Sequence, residues 1–349
     1  MLTICLIAKN EGPNVQGCLA SFRLLSETFL LVDTGSTDDT KKIAKDLGAE
    51  VLDFEWVDDF SAARNFALSN VKTPWVLMID ADYRISEEDV KKLKHFLNEE
   101  KEKWDVVDLR TEFDGTYAYL PKLWRTELNL QYVSPVHEYL LVPNTLRRKK
   151  LELSLLDPLP RDHHSSRRRY VEIMERHVAK HPDDHRMLYY LISDNRFLKR
   201  YKESVLWGEK YLAADPPSDN QLARALVHVG KSLLALGKRT EAEQAFQAAQ
   251  NFASDLAEPY LRLGDLHFAK GEYVQALDCY FKAGDCPFKI RSFHQTKDHY
   301  TFEPKWKLAR TFAKLNEKEK ALQYAEEALK LKPEHKALNE LFHTLTQSS

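Results

Sequence analysis

The sequence predicts an α/β domain built on a mostly parallel sheet, followed by an all-α domain of repeated helix pairs. Three observations carry that prediction. Short apolar runs alternate with amphipathic segments over the first 110 residues, the pattern of strands joined by crossover helices. One of those runs, Trp75-Val76-Leu77-Met78-Ile79, ends directly in Asp80-Ala81-Asp82. From Arg167 onward the pattern turns almost wholly helical and repeats.

Strands are expected at 2–8, 28–33, 50–54, 75–79 and 106–110, and helices at 13–22, 37–47, 61–69 and 86–99. An apolar run such as 75–79 reads as a strand buried on both faces. Right-handed crossovers then bring the strand ends to one edge, where ligands of α/β sheets bind. Lys9-Asn10-Glu11, Asp33 and Asp80-Ala81-Asp82 converge there. Residues 111–150, around Pro121, Pro135 and Pro143, predict shorter, irregular or antiparallel strands. The stretch 156–169, with Pro158 and Pro160, reads as a connection, which puts the domains at 1–165 and 166–349.

In the second domain Val229-Gly230, Gly237, Ala242, Phe246 and Ala249 recur as Leu263-Gly264, Gly271, Ala276, Tyr280 and Ala283, a period of 34 residues from Gly230 to Gly264. That period and its small/aromatic pattern are those of tetratricopeptide repeats. A further copy fits Ala309, Phe312, Ala321, Ala325, Ala328 and Pro333, and a degenerate one fits Leu188, Leu191, Ser204, Tyr211 and Pro216. The insertion at 284–303 is either a surface loop or, through Phe288, Arg291, Phe293 and His294, a contact for a partner.

The 349 residues, 43% of them hydrophobic, suffice for two cores. With 51 basic and 53 acidic residues the net charge is -2, so no global field attracts nucleic acid or an acidic membrane. Cys5, Cys18, Cys279 and Cys286 lack CxxC spacing, which suggests neither zinc nor disulfides but the reduced thiols of a cytoplasmic protein. Residues 2–8 lack the basic start of a signal peptide and are too short to span a bilayer, and no later segment is long enough. Any membrane contact is expected to be peripheral.

Two carboxylates one residue apart at a strand end repel each other, and are tolerated where a hard divalent cation sits between them and a phosphate. This gives Asp80 and Asp82 their interest. Asn10 and Glu11 precede a helix and serve either as its cap or as part of a nucleotide pocket. Asp33 stands at a strand tip, placed to bond a base or ribose edge, with Ser36 or Thr37 capping the next helix. Arg64 and Asn65 fall on the polar side of a short helix, where Arg64 makes a surface ion pair or reaches a base or phosphate.

Taken in order, Ala8-Lys9-Asn10-Glu11, Asp33-Thr34-Gly35-Ser36-Thr37-Asp38, Phe60-Ser61-Ala62-Ala63-Arg64-Asn65 and Asp80-Ala81-Asp82 resemble a family 2 glycosyltransferase of the nucleotide-diphosphosugar transferase (GT-A-like) fold. Leu123-Trp124-Arg125 and Val136-His137-Glu138 are similar to the subgroup that carries tetratricopeptide repeats, which includes bacterial enzymes that glycosylate peptides on Cys or on hydroxyls. The resemblance implies that Asp33 recognises the nucleobase with Ala8, Asn10 and Arg64 around it. Glu11 and Ala81 would line the same donor pocket, with Asp80 near the ribose. Asp82 would hold Mg2+ or Mn2+ against the diphosphate of a UDP-sugar. His137 either completes the metal shell or is bonded within its own loop. Glu138 is the expected base, and after it Asp114 and Glu112; His163 and His164 lie at the domain junction, approaching the site or simply solvated. Members of the family often carry an acidic residue after Asp-Ala-Asp, whereas this chain has Tyr83, which either stacks on a sugar or packs on the sheet.

The expected function is therefore metal-dependent, inverting transfer of a hexose to a peptide or protein side chain held by the repeats. The alternatives are transfer to a cell-envelope saccharide or lipid-linked acceptor, and a non-catalytic adaptor. The apolar positions of the repeats serve a peptide groove or a homodimer face alike.

Overall fold

A computed structural model of the chain describes residues 1–113, 116–156, 163–216, 220–289 and 295–347. Asp114, Arg291, Phe293 and His294 lie outside the described residues, as do the side chains of Glu112, His163 and His164. The chain divides into two compact units, Met1–His163 with Ile290–Gln295, and His164–Lys289 with Thr296–Ser349.

The first unit alternates strands and helices: β1 (Leu2–Ala8), α1 (Gly12–Phe22), β2 (Thr28–Asp33), α2 (Thr40–Asp46), β3 (Glu50–Asp53), α3 (Phe60–Ser69), β4 (Trp75–Asp80) and α4 (Glu87–His95). β5 (Val106–Phe113), β6 (Thr116–Arg125), β7 (Tyr132–Val133), β8 (Tyr139–Leu140) and β9 (Arg148–Leu156) follow. The main sheet runs in the order β3-β2-β1-β4-β6-β5-β9. β1 pairs parallel with β2 and β4, and β2 with β3. β6 is antiparallel to β4 and β5, while β9 is parallel to β5. The shorter or antiparallel strands expected over 111–150 are found as the antiparallel β6, which accommodates Pro121 opposite a β-bulge at Val107/Asp108, and as the two-residue antiparallel pair β7 and β8, while a longer edge strand, β9, starts at Arg148.

Alternation along the strands feeds two cores. Ile4, Leu6, Leu77 and Ile79 pack against Val15, Leu19 and Phe22 of α1 and Val90 and Leu93 of α4. Cys5, Val32, Val76 and Met78 face the other way, toward Ala67 of α3, Trp124 and Tyr132. Burial pushes the Cys5 and Cys18 thiols up to about 12, so both remain protonated packing groups.

Two boundaries differ from expectation. α2 starts at Thr40 rather than 37, because Asp38 Oδ1 accepts from the Thr40 N–H at 3.0 Å while Ser36 and Thr37 are tied to Asn10. The connection expected at 156–169 is shorter, since α5 (His163–Val178) already begins at His163.

The second unit continues with α6 (His185–Phe197), α7 (Tyr201–Ala213), α8 (Asn220–Ala235), α9 (Arg239–Phe252), α10 (Ala257–Lys270), α11 (Tyr273–Asp285), α12 (Phe302–Lys314), α13 (Lys318–Leu331) and α14 (Lys336–Gln347). The 34-residue pattern maps onto the pairs α8/α9 and α10/α11, with Ala242, Phe246, Ala249, Ala276, Tyr280 and Ala283 all fully buried. Gly230 and Gly264 exist for close approach, since a Cβ at either would overlap the ring of Phe246 or Tyr280. Gly230→Ala is expected to lower the stability of this unit by about 1–2 kcal/mol, overpacking outweighing the helix propensity gained. Thermal unfolding checks this, and an unchanged midpoint would refute it. No helix among the described residues is long and apolar enough to cross a membrane.

Candidate active site

β1 fixes the geometry of the polar edge. Ala8 stands opposite Asp33 of β2, and Ile7 opposite Asp80 of β4, so the two carboxylates flank β1 at nearly one level. Two interstrand steps separate them by about 10 Å, roughly the reach of a nucleoside.

Asp33 is 1% exposed. Its Oδ1 accepts from the backbone N–H groups of Gly35 (3.0 Å) and Ser36 (2.8 Å), in a turn that Gly35 completes at φ 101°. Its Oδ2 is buried with no hydrogen-bond partner among the described residues. An acceptor left in that state costs about 1–3 kcal/mol, which an incoming donor recovers. Asn10, at φ 56°, braces the same corner: its N–H donates to Ser36 Oγ at 2.9 Å and its Oδ1 accepts from Thr37 N–H at 2.8 Å. Glu11 donates its N–H to Thr40 Oγ1 at 2.8 Å and accepts from Asn14 Nδ2 at 2.6 Å. Both side chains thus shape the loop. Ala8 and Ala81 are buried beside the two strand tips.

Arg64 is 7% exposed, which corrects its expected place on the polar side of the helix. α3 begins with Asp59 capping the Ala62 N–H at 3.0 Å, and its next turn carries Arg64 inward. Nη2 donates to Asp80 Oδ1 at 2.6 Å and Nε to Glu138 Oε1 at 2.7 Å, while the guanidinium lies 5.3 Å from the centroid of the Tyr132 ring. Burial works against its charge, but Asp80 and Glu138 outweigh burial and hold it well above its ordinary range. Nη1 is buried and without a partner among the described residues.

The loop bearing His137 and Glu138 is stitched to α3. Asn65 exchanges two hydrogen bonds with the Tyr132 backbone, donating to its C=O at 2.9 Å and accepting from its N–H at 2.8 Å. Phe60 N–H donates to Pro135 C=O at 2.8 Å, and Ser61 Oγ donates to Ser134 C=O. Ser134 (φ 79°) and His137 (φ 50°) adopt left-handed backbone conformations that non-glycine residues rarely hold without such support. Asn65 therefore acts as a brace as well as a helix residue.

Asp82 follows β4 in a turn closed by the Tyr83 N–H on Asp80 C=O at 3.0 Å. Among the described residues no three His, Cys, Asp or Glu side chains converge as a cation cage. Mg2+ and Mn2+ sites of substrate-bound type need only one or two protein ligands, with phosphates and water supplying the rest. A single strand-tip carboxylate such as Asp82 is the kind of ligand an ion of that type takes.

Sequence reasoning missed Lys122. It is buried in β6, its Nζ lies 3.7 Å from Asp80 Oδ2, and it rests 5.0 Å from the centroid of the Tyr83 ring. Burial pushes its ammonium below the ordinary value, with Asp80 opposing. The available signal was a lysine between Leu120 and Leu123-Trp124, inside an apolar strand. In the same motif, Trp124 is 1% exposed and Arg125 donates to Trp104 C=O at 3.1 Å, so both serve packing.

Residues 3–160 match the family model for glycosyl transferase family 2, and 303–335 that for a tetratricopeptide repeat. A TPR repeat-containing protein of Synechococcus elongatus is 34% identical over 140 residues, 39% of this chain and 34% of that protein. The SPbeta prophage-derived glycosyltransferase SunS of Bacillus subtilis is 24% identical over 221 residues, 60% of this chain and 52% of SunS. The chain thus spans between a third and about half of the length of these curated relatives. The solved structure of S. aureus TarS aligns over 72% of this chain and 55% of that one, at 16% identity and a TM-score of 0.39. An α/β sheet that matches the glycosyl transferase family 2 model thus stands ahead of a run of helix pairs, of which residues 303–335 match a tetratricopeptide repeat.

Proposed function

We propose that the chain is a metal-dependent, inverting glycosyltransferase that moves a hexose from a UDP-sugar to a Cys, Ser or Thr side chain of a peptide or protein. The observation that carries this reading is the buried Asp33 Oδ2, an acceptor without a hydrogen-bond partner among the described residues, at the strand-tip edge of a domain that matches family 2. The imide N–H of uracil offers the complementary donor. Asp80 then lies toward the ribose, held by Arg64 and Lys122.

In the reaction the acceptor oxygen or sulfur attacks the anomeric carbon, the bond from that carbon to the β-phosphate oxygen breaks, and the electron pair leaves on UDP. A divalent cation held by Asp82, with His137 beside it, would neutralise that departing charge. Glu138 is the proposed base: Oε1 is engaged by Arg64, and the other oxygen takes the acceptor proton. A thiol acceptor makes less demand on it, because cysteine ionises near neutrality. The repeats are proposed to hold the peptide, as stacked helix pairs present extended binding surfaces.

The test is a panel of UDP-, GDP- and dTDP-sugars with Mn2+ or Mg2+, scored for released nucleotide. Metal-dependent release from a UDP-sugar, lost with EDTA, is expected. No release and no metal-dependent thermal shift with any donor would instead favour an adaptor.

A further inference from the structure

We infer that Lys122 binds the phosphate oxygens of the donor's diphosphate, an anion site that forms because Tyr83, rather than a carboxylate, lies under its ammonium. This rests on the nucleotide-sugar reading above and extends it to a residue that the sequence motifs do not mark.

The Lys122 side chain is 9% exposed, yet its one ion pair, to Asp80 Oδ2 at 3.7 Å, is longer than a hydrogen bond. Among the described residues it has no acceptor at hydrogen-bond distance. Its donors are therefore left for an incoming acceptor, and the Tyr83 ring steadies the ammonium without consuming any of them. Asp80 does not fill the need, because its Oδ2 stands 3.7 Å from the ammonium while its Oδ1 is held by Arg64 at 2.6 Å. The neighbourhood selects an anion that arrives with a cation. The carboxylates of Asp80, Glu138 and Asp82 favour the charge on Lys122, while the Arg64 guanidinium opposes it. A bare phosphate meets those carboxylates, whereas a divalent ion arriving with it offsets them. The Tyr83 ring under the ammonium directly follows Asp82 in the chain, which sets Lys122 beside the turn proposed to hold the ion.

Calorimetric titration of the full chain in Mn2+ with UDP, inorganic pyrophosphate and uridine tests this without reference to turnover. Lys122→Gln should weaken UDP and pyrophosphate about ten- to a hundred-fold, as expected for a lost hydrogen bond to a charged group, and leave uridine within about two-fold. Tyr83→Glu, which supplies Lys122 with an internal partner while leaving it in place, should produce the same selective loss. Uridine binding reports that each variant is folded. If both variants keep the wild-type UDP and pyrophosphate affinities, or lose uridine equally, the inference is overturned while the donor reading stands. If the wild type binds pyrophosphate through Lys122 but shows no preference for UDP over it, the nucleotide reading fails and the anion site remains. Binding of neither ligand by the wild type overturns both.

Discussion

Replacing Asp82 by alanine is expected to remove glycosyl transfer while the chain stays folded and still binds uridine. Asp82 sits in the turn after β4, outside the Arg64 bridge that secures Asp80 and Glu138, so its loss leaves that buried network intact. What disappears is the carboxylate proposed to hold the ion against the leaving diphosphate. Loss of that charge stabilisation should lower kcat/KM by at least about a thousand-fold, or ~4 kcal/mol of barrier. Asp82→Asn keeps the shape and one oxygen but not the charge, and should recover little. The check is donor turnover and uridine affinity measured on the same preparations. A variant that retains a tenth of wild-type turnover would remove Asp82 from the mechanism.

Arg64→Ala should cause the largest loss of stability at the site. It takes from Asp80 and Glu138, whose side chains are 28% and 14% exposed, the one guanidinium that bridges both. Breaking a buried pair from one side costs about 3–5 kcal/mol, and the partial exposure of Asp80 favours the lower figure. Arg64→Lys should not restore it, because a single ammonium cannot reproduce the separate Nε and Nη2 contacts. Hydrogen exchange along β4 and α3 gives the local readout. Protection equal to wild type would mean that the bridge contributes nothing measurable.

The sheet and its acidic edge were legible because they rest on local signals. The apolar run of β4 ends in its carboxylates, and Asp33 ends β2 in the same way, so strand order and crossover handedness bring them together. The repeat glycines were legible because their period is explicit in the chain. What escaped depends on contacts distant in sequence. Arg64 reads as polar because its partners lie 16 and 74 residues away, and only burial beside both reveals its function. Lys122 was hidden by Pro121, which argues against a regular strand until the bulge in β5 is known to absorb it. The start of α2 was misplaced because Ser36 and Thr37, good capping residues by type, are drawn to Asn10 across the neighbouring loop. Glu138 reads as an unengaged base in sequence, whereas in the fold one of its oxygens is held by Arg64.

The central claim is that the Asp33 carboxylate awaits an imide N–H of a nucleobase. The most direct measurement is a calorimetric comparison of UDP with N3-methyl-UDP in Mn2+, in which a methyl group replaces that donor hydrogen. The wild type should prefer UDP by about ten- to a hundred-fold, and Asp33→Ala should abolish the preference. Equal affinity of the wild type for both would contradict the assignment of Asp33 and, with it, the placement of the donor along this edge of the sheet.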